Sequence, residues 1–104
     1  MIVTEIVEIS KTKAKVLLDN DRCFALYKSE LKKYRIAEDA EISQECYDMI
    51  MGEVLLKRAK LRCMNLLKSR DYTKHQLVIK LRQGIYPEEI MDAAIDYVAS
   101  YGYV

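Results

Sequence analysis

Polar and apolar residues along the first part of the chain follow a pattern that predicts strands. Residues 2–9 are rich in Val, Ile and Thr, and residues 13–18 begin with lysines that alternate with apolar residues. Both patterns suit half-buried strands, whose side chains point in turn to opposite faces of a sheet. The sequence Asp-Asn-Asp at residues 19–21, followed by a third apolar run at residues 23–27, is typical of a turn between paired strands. We therefore expect a small antiparallel strand layer at the N-terminus.

The pattern becomes helical after residue 28. Ser29 can cap a short helix, whereas residues 38–41 are acidic, lack an apolar period and predict a connection. From Ser43, a suitable N-cap residue, apolar residues recur at helical spacing to about Leu67. We expect one long helix over this stretch.

This long helix carries two apolar stripes. The first stripe consists of Tyr47, Ile50, Met51, Val54 and Leu55. The second consists of Leu55, Leu56, Ala59, Cys63, Leu66 and Leu67. The two stripes are rotated from each other by roughly 130°, and Gly52 lies near the changeover, where it can permit a bend. We expect the first half of the helix to pack on the strand layer and the second half on the helices that follow.

Two shorter helices are predicted next. Thr73 and Gln76 fit a capping box, and Gly84 suits a left-handed stop, so the second helix is predicted at residues 74–83. Pro87 suits the first position of a third helix, which Gly102 can end after Tyr101. The residues expected on the buried side of that helix are Ile90, Met91, Ala94, Tyr97, Val98 and Tyr101. Those expected on its opposite side are Glu88, Asp92 and Asp96.

These elements define an α+β chain, with an N-terminal antiparallel strand layer followed by a three-helix repeat that has a long first helix. The predicted domains are a strand-rich module with a short helix at residues 1–42 and the three-helix repeat at residues 43–104. A length of 104 residues, 51% hydrophobic and 32% charged, suits one small folded protein and excludes a multi-domain enzyme.

The net charge of +1 hides a segregation of charge along the chain. Residues 57–82 contain nine Lys or Arg and one Asp, whereas residues 83–104 contain four Asp or Glu and no Lys or Arg. A basic segment of this kind can contact phosphates or an acidic protein surface, or form a solvated face that the acidic third helix partly neutralises. All three interpretations remain open on charge alone.

The residue types offer little for catalysis or for binding a cofactor or metal. His75 is the only histidine, and it is expected on the exposed side of the second helix. The three glycines are isolated, so no phosphate-binding glycine motif is present. Three cysteines without a C-x-x-C pair predict small buried thiols and neither disulfides nor a zinc site. We therefore expect no enzyme, no cofactor and no small-molecule substrate.

No apolar run is long enough for a membrane span, and Glu5 and Glu8 interrupt the stretch where a signal peptide would need apolar residues. The expectation is a cytoplasmic protein. Sequence-specific reading of DNA is not favoured, because the second helix has no Asn, Gln76 is used in the cap and the other glutamine, Gln83, is its last residue.

The helical part resembles the first three-helix repeat of the RecX family of bacterial recombination regulators. The family pattern runs roughly L-x-x-R-x-x-S-x-x-E-L-x-x-K-L, then a Gly, a third helix and a G-[YF]-[LIV]-D-D ending. The matching residues here are Leu67, Arg70, Lys80, Leu81 and Gly84, with Tyr101-Gly102-Tyr103-Val104 at the end. Thr73 stands in place of the Ser and Gln76 in place of the Glu, and both preserve the capping box.

The strand-rich part is similar to the extension that precedes the repeats in many Gram-positive members. It carries the D-x-x-F-A-L pattern at Asp21, Phe24, Ala25 and Leu26, followed by Ser29-Glu30-Leu31. The resemblance implies that the chain is an N-terminal part of a longer repeat protein, made of the extension and the first repeat.

The resemblance also implies a function: a non-enzymatic regulator of homologous recombination and DNA repair that binds the RecA recombinase filament on single-stranded DNA and restrains its activity. The expected partner-binding residues are Arg58, Arg62, Lys68, Arg70, Lys74 and Arg82. For Arg70 two roles are open, of which bonding the last carbonyls of the long helix is favoured over contacting the partner. The alternative function is a general nucleic-acid-binding three-helix module.

Overall fold

A computed structural model describes residues 1–103, and Val104, the last residue of the predicted repeat, lies outside the described residues. The strands are β1 (Val3–Glu8), β2 (Lys13–Leu18) and β3 (Cys23–Tyr27). The helices are α1 (Lys28–Lys33), α2 (Gln44–Met49), a π-helical segment (Ile50–Leu55), α3 (Leu56–Ser69), α4 (Lys74–Gln83) and α5 (Glu88–Ser100). The predicted α+β class is confirmed.

The chain divides into two compact units, residues 1–48 and residues 49–104. Compactness alone does not define a repeat, so the domain limits given above, 1–42 and 43–104, stay a prediction.

The first unit contains an antiparallel sheet with the strand order β1-β2-β3. Along β2, the buried residues Ala14, Val16 and Leu18 alternate with partly exposed neighbours, as the period of two predicted. The predicted turn between β2 and β3 closes with a hydrogen bond from the Leu18 N–H to the Arg22 carbonyl at 2.9 Å. Asp21 adopts a left-handed conformation there with a φ of 65°, which its short polar side chain tolerates.

The start of α1 differs from the prediction, because Ser29 lies inside the helix and does not cap it. The cap position is Tyr27, whose backbone N–H donates to the Glu30 carboxylate at 2.8 Å. A carboxylate at the third helical position can reach back in this way, and it makes the serine unnecessary as a cap.

The start of the long helix matches the prediction. The Ser43 hydroxyl accepts the Cys46 N–H at 3.1 Å and caps α2. Tyr47 on α2 packs edge-on against Phe24 of β3, with ring centroids 6.4 Å apart, and its hydroxyl accepts a hydrogen bond from Arg22 at 3.0 Å. The first helical turns therefore contact the strand layer.

Residues 44–69 are helical throughout, but the segment Ile50–Leu55 is π-helical where a bend at Gly52 was expected. A π-helix places an extra residue in its hydrogen-bonded turn, so it rotates all later residues relative to those before it. The angle between the two apolar stripes therefore differs from the roughly 130° expected for a regular helix. Gly52 is exposed, and a Cβ added there would meet nothing within 4 Å.

In the second unit, α3 packs against α4 and α5, which also contact each other. Its buried residues include Ala59, Cys63 and Leu66 from α3, Leu77 and Leu81 from α4, and Ile90, Met91, Ala94, Ile95 and Val98 from α5. The second stripe of the long helix therefore faces the other two helices, except that Leu56 and Leu67 are only partly buried.

Two tyrosines expected in the core of α5 are exposed. The exposed fractions are 39% for Tyr97 and 61% for Tyr101, whereas Ile95, which was not expected in the core, is 4% exposed. Tyr97 lies at the edge of the buried stripe that runs from Ile90 to Val98, and Tyr101 lies beyond the last helical turn. The predicted face thus shares Ile90, Met91, Ala94 and Val98 with the observed one and differs from it only at the edge.

The N-terminal cap of α4 matches the prediction from the sequence. The residue that takes the left-handed conformation after α4 does not. The Thr73 hydroxyl accepts the Gln76 N–H at 3.1 Å, and the Gln76 side chain accepts the Thr73 N–H at 2.9 Å, which confirms the capping box. Gly84, however, has an ordinary φ of −87°, and Ile85 takes the left-handed conformation with a φ of 58°.

Gly84 is required for space and not for its φ, because a Cβ there would lie 2.7 Å from the Tyr86 ring. Pro87 precedes the first residue of α5 and is not that residue, while Gly102 has the predicted left-handed conformation after Tyr101, with a φ of 77°.

Candidate binding surface

Tyr72, in the connection between α3 and α4, lies against Arg70 and within the electrostatic influence of Lys80 and Arg62. The Arg70 guanidinium carbon is 4.2 Å from the centroid of the Tyr72 ring. A hydrogen bond from Arg70, together with the positive charges of Arg70, Lys80 and Arg62, lowers the pKa of the Tyr72 phenol. Cations from α3, from the connection and from α4 thus act on one half-exposed ring, and we call these four residues the Tyr72 cluster.

The end of α3 explains how Arg70 reaches the ring. The Leu66 carbonyl accepts the Ser69 hydroxyl at 2.8 Å and the Arg70 N–H at 3.4 Å, which satisfies the last turn of the helix locally. Arg70 then leaves the helix in an extended conformation, and Thr73 starts α4 three residues later. The connection is therefore short and is held at both ends.

This geometry corrects the role favoured for Arg70. The Ser69 hydroxyl and the Arg70 backbone bond the Leu66 carbonyl, while the Arg70 side chain is exposed and lies on the Tyr72 ring. A guanidinium stacked on an aromatic ring keeps most of its N–H donors available. The Arg70 side chain thus contacts the Tyr72 ring.

The other predicted residues occupy different places on the unit. Lys68 lines a cavity of about 220 Å³ together with Met64, Leu67 and Tyr103. Arg58 is partly buried and already has an interaction partner. Lys74 and Arg82 are exposed on α4. Among the described residues, the positive groups that lower the Tyr72 pKa belong to Arg62, Arg70 and Lys80. Only two of them, Arg62 and Arg70, are among the six predicted partner-binding residues.

The sequence reasoning missed Tyr72 and Lys80 as site residues. Lys80 matched the family pattern and lay in the basic segment, and Tyr72 stands between Arg70 and the capping Thr73. The signal that the sequence offered was an aromatic residue, Tyr72, close to a positively charged one, Arg70.

A second exposed aromatic group lies at the end of α5. The Tyr97 and Tyr101 rings meet at 5.1 Å between centroids, and Tyr101 stacks on Tyr103 at 6.3 Å. The Lys60 ammonium lies 4.1 Å from the centroid of the Tyr97 ring. Lysine and tyrosine side chains thus form a mixed apolar and positive surface on the same unit.

The acidic side of α5 remains exposed at Glu88, Asp92 and Asp96. Exposed carboxylates and exposed cations attract each other only weakly through solvent. These carboxylates therefore do not prevent the exposed lysine and arginine side chains of the unit from contacting a partner.

Among residues 1–103, no group of three His, Cys, Asp or Glu residues could hold a metal ion. Burial raises the pKa of the Cys63 thiol, although the Arg62 charge partly opposes this, so the thiol stays protonated. Cys23 and Cys46 are only partly buried, contrary to the expectation of three buried thiols, and His75 is exposed as predicted.

Within residues 1–103, no helix is both long and apolar enough to cross a membrane.

Comparisons with known proteins match this architecture. Residues 59–97 match the family model described as "RecX, first three-helix domain". The chain is 29% identical over 105 residues to a protein named "Regulatory protein RecX" from Caldanaerobacter subterraneus subsp. tengcongensis, covering 100% of this chain and 53% of that protein. It also resembles a crystal structure of a regulatory protein RecX, with a TM-score of 0.51 and 19% identity over 98% of this chain and 51% of that one. The chain thus spans about half the length of these relatives.

Proposed function

We propose that the chain regulates homologous recombination and DNA repair by binding the RecA recombinase filament. The proposal starts from the match of residues 59–97 to the first three-helix domain of the RecX family and from the similarity to a regulatory protein RecX. The regulation consists in restraining strand exchange and ATP hydrolysis by the filament. The relative's name, a regulatory protein, supports a role in regulation rather than in catalysis.

The observation that carries this proposal is the Tyr72 cluster. Two guanidinium groups and an ammonium group act on one exposed ring, within the segment that matches the family domain. Guanidinium groups bind carboxylates and phosphates through paired hydrogen bonds, and clustered cations speed the approach of a negatively charged partner. A recombinase filament on single-stranded DNA presents phosphates along its length.

The proposed contact surface also includes four residues that contribute less to binding: Lys68, Lys74, Arg58 and Arg82. Lys68 beside the cavity and the exposed Lys74 and Arg82 are accessible to a partner. Arg58 contributes least, because it is partly buried and engaged within the chain.

A binding measurement tests the proposal. RecA filaments are assembled on fluorescein-labelled single-stranded DNA, and binding of the chain is followed by anisotropy. Replacing Arg62, Arg70 and Lys80 together by Gln should weaken binding by roughly tenfold or more, since charged contacts at an interface contribute several kcal/mol together. A matched control replaces Lys32, Lys33 and Lys57, three exposed lysines outside the cluster, by Gln. Equal loss in both variants would show that net charge alone drives binding.

The second candidate is a general single-stranded nucleic-acid-binding module. The observation that favours it is the half-exposed Tyr72 ring among cations, since such sites stack bases on aromatic rings and bind phosphates with Lys and Arg.

The two candidates differ in their need for the recombinase. If the chain regulates the filament, it should bind the filament more tightly than the bare labelled DNA, and its affinity should fall less steeply with salt because protein contacts add to phosphate contacts. Equal affinity and an equal salt slope for the filament and for bare DNA would favour the general module.

A further inference from the structure

A second group of positive and aromatic side chains lies in the first unit, away from the Tyr72 cluster in sequence. A surface cavity of about 360 Å³ is lined by Lys11, Thr12, Tyr27, Lys28 and Ser29. It forms where the turn between β1 and β2 meets the start of α1, and the Lys28 N–H donates to the Thr12 carbonyl at 2.8 Å. That backbone bond fixes the two sides of the cavity relative to each other. We call these five residues and Lys13 the hairpin site.

The cross-strand register supplies the sixth residue. Lys13 of β2 pairs directly with Tyr27 of β3, and its ammonium lies 5.0 Å from the centroid of the Tyr27 ring. Directly opposed residues on a sheet point to the same face, so the amine and the ring are presented together. Tyr27 remains 38% exposed in this arrangement.

Two carboxylates also lie next to the site and reduce its positive charge. Glu8 pairs with Lys28 at 3.3 Å, and the two side chains are 64% and 42% exposed. Glu30 accepts the Tyr27 N–H at 2.8 Å. An exposed ion pair contributes little and can exchange its carboxylate for another anion. Three ammonium groups therefore outnumber two carboxylates, one of which already serves the backbone.

The side chains of the hairpin site favour one class of negatively charged ligand over the others. Ammonium groups and the hydroxyls of Thr12 and Ser29 suit a phosphate, and an exposed aromatic ring beside a cation suits a base stacked next to that phosphate. An acidic peptide would use the amines but leave the ring without a role. A duplex would keep its bases stacked inside and could not reach the ring.

We propose that the hairpin site binds a nucleotide unit of single-stranded nucleic acid, with its phosphate at Lys11, Lys13 and Lys28 and its base against Tyr27. The site lies outside the segment that matches the family domain. It gives the first unit a binding role of its own.

The test uses the full chain with Arg62, Arg70 and Lys80 replaced by Gln, so that the Tyr72 cluster does not mask the hairpin site. Binding of a fluorescein-labelled oligodeoxythymidine is measured by anisotropy over a range of salt concentrations. Lys11→Gln with Lys13→Gln should remove two phosphate contacts, weaken binding by about tenfold and reduce the slope of log K against log salt by about 1.4. The matched control, Lys32→Gln with Lys33→Gln, removes two charges from the same unit and should leave the slope unchanged.

The ring is tested separately. Tyr27→Leu should weaken binding by roughly 5- to 150-fold, the range for one lost base stack, without a change in the salt slope. Thermal unfolding checks that each variant folds. If Tyr27→Leu does not fold, photo-cross-linking of an iodouracil oligonucleotide to the parent chain should label Tyr27.

Three results would overturn the proposal. The first is a lysine pair variant that binds like the Lys32 and Lys33 control. The second is displacement of the oligonucleotide by polyglutamate as effectively as by unlabelled single strand, which would make the site one for acidic peptides. The third is equal affinity for duplex DNA.

Discussion

At Tyr72 a phenol is surrounded by positive charge, so its ionised form is favoured. The hydrogen bond from Arg70 is the largest cause of its lowered pKa, followed among the favourable causes by the charges of Arg70, Lys80 and Arg62. These four residues are distributed over α3, the connection and α4, and the pKa therefore reports directly on whether the cluster is assembled.

Tyr72 should lose its proton at a lower pH than an ordinary tyrosine, and Arg70→Gln should raise its pKa back toward the ordinary value. The measurement is an NMR titration of ring-labelled tyrosine, with Arg58→Gln as a control outside the cluster. A Tyr72 pKa that is unchanged by Arg70→Gln would contradict the geometry.

The lowered pKa of Tyr72 also makes the stability of the fold depend on pH. Since the pKa is lowered in the folded state, the interaction stabilises the fold fully above the pKa of tyrosine in the unfolded chain and is lost as pH falls through the folded pKa.

Among the elements, α4 begins with two reciprocal hydrogen bonds that can be removed singly. Thr73→Ala deletes the hydroxyl that accepts the Gln76 N–H and should lower the free energy of unfolding by about 1 kcal/mol, within the range of about 0.5 to 2 kcal/mol for a lost N-cap. Thr73→Ser keeps the hydroxyl and should change stability much less. Urea unfolding of the two variants measures the difference, and equal stability would show that the cap is not used.

The packing of the three-helix unit offers a comparison between two leucines. Leu77 is fully buried, so Leu77→Ala should cost about 2 to 5 kcal/mol. Leu67 is only partly buried beside a cavity, so Leu67→Ala should cost clearly less than Leu77→Ala. Chemical unfolding that ranks the two variants in the opposite order would contradict this packing.

The elements that are determined by interactions between residues close in sequence were predicted correctly. The limits of α4 follow from Thr73 and Gln76, whose hydrogen bonds join residues three apart, and β2 follows from its alternation. The π-helical segment was not predicted, because the apolar spacing of this stretch is compatible with a regular helix and Gly52 indicated a bend instead. The left-handed residue after α4 was also misplaced, since the contact between Gly84 and the Tyr86 ring has no sequence signature.

For the whole molecule, the segregation of charge along the chain predicted a basic surface but not how its side chains are grouped. The basic segment included Arg62, Arg70 and Lys80, yet their common action on Tyr72 depends on how α3 and α4 pack. Helical spacing alone left Arg58, Lys74 and Arg82 as equal candidates. Side-chain convergence between separate helices is a tertiary property, which a linear pattern of charges does not contain.

The central claim is that the Tyr72 cluster restrains a recombinase filament. The most direct measurement is DNA strand exchange by RecA with increasing amounts of the full chain, run in parallel with the variant in which Arg62, Arg70 and Lys80 are replaced by Gln. The wild-type chain and the Lys32, Lys33 and Lys57 control should slow strand exchange, and the cluster variant should need roughly tenfold more protein for the same effect. A cluster variant that slows strand exchange as strongly as the wild type, while remaining folded, would contradict the claim.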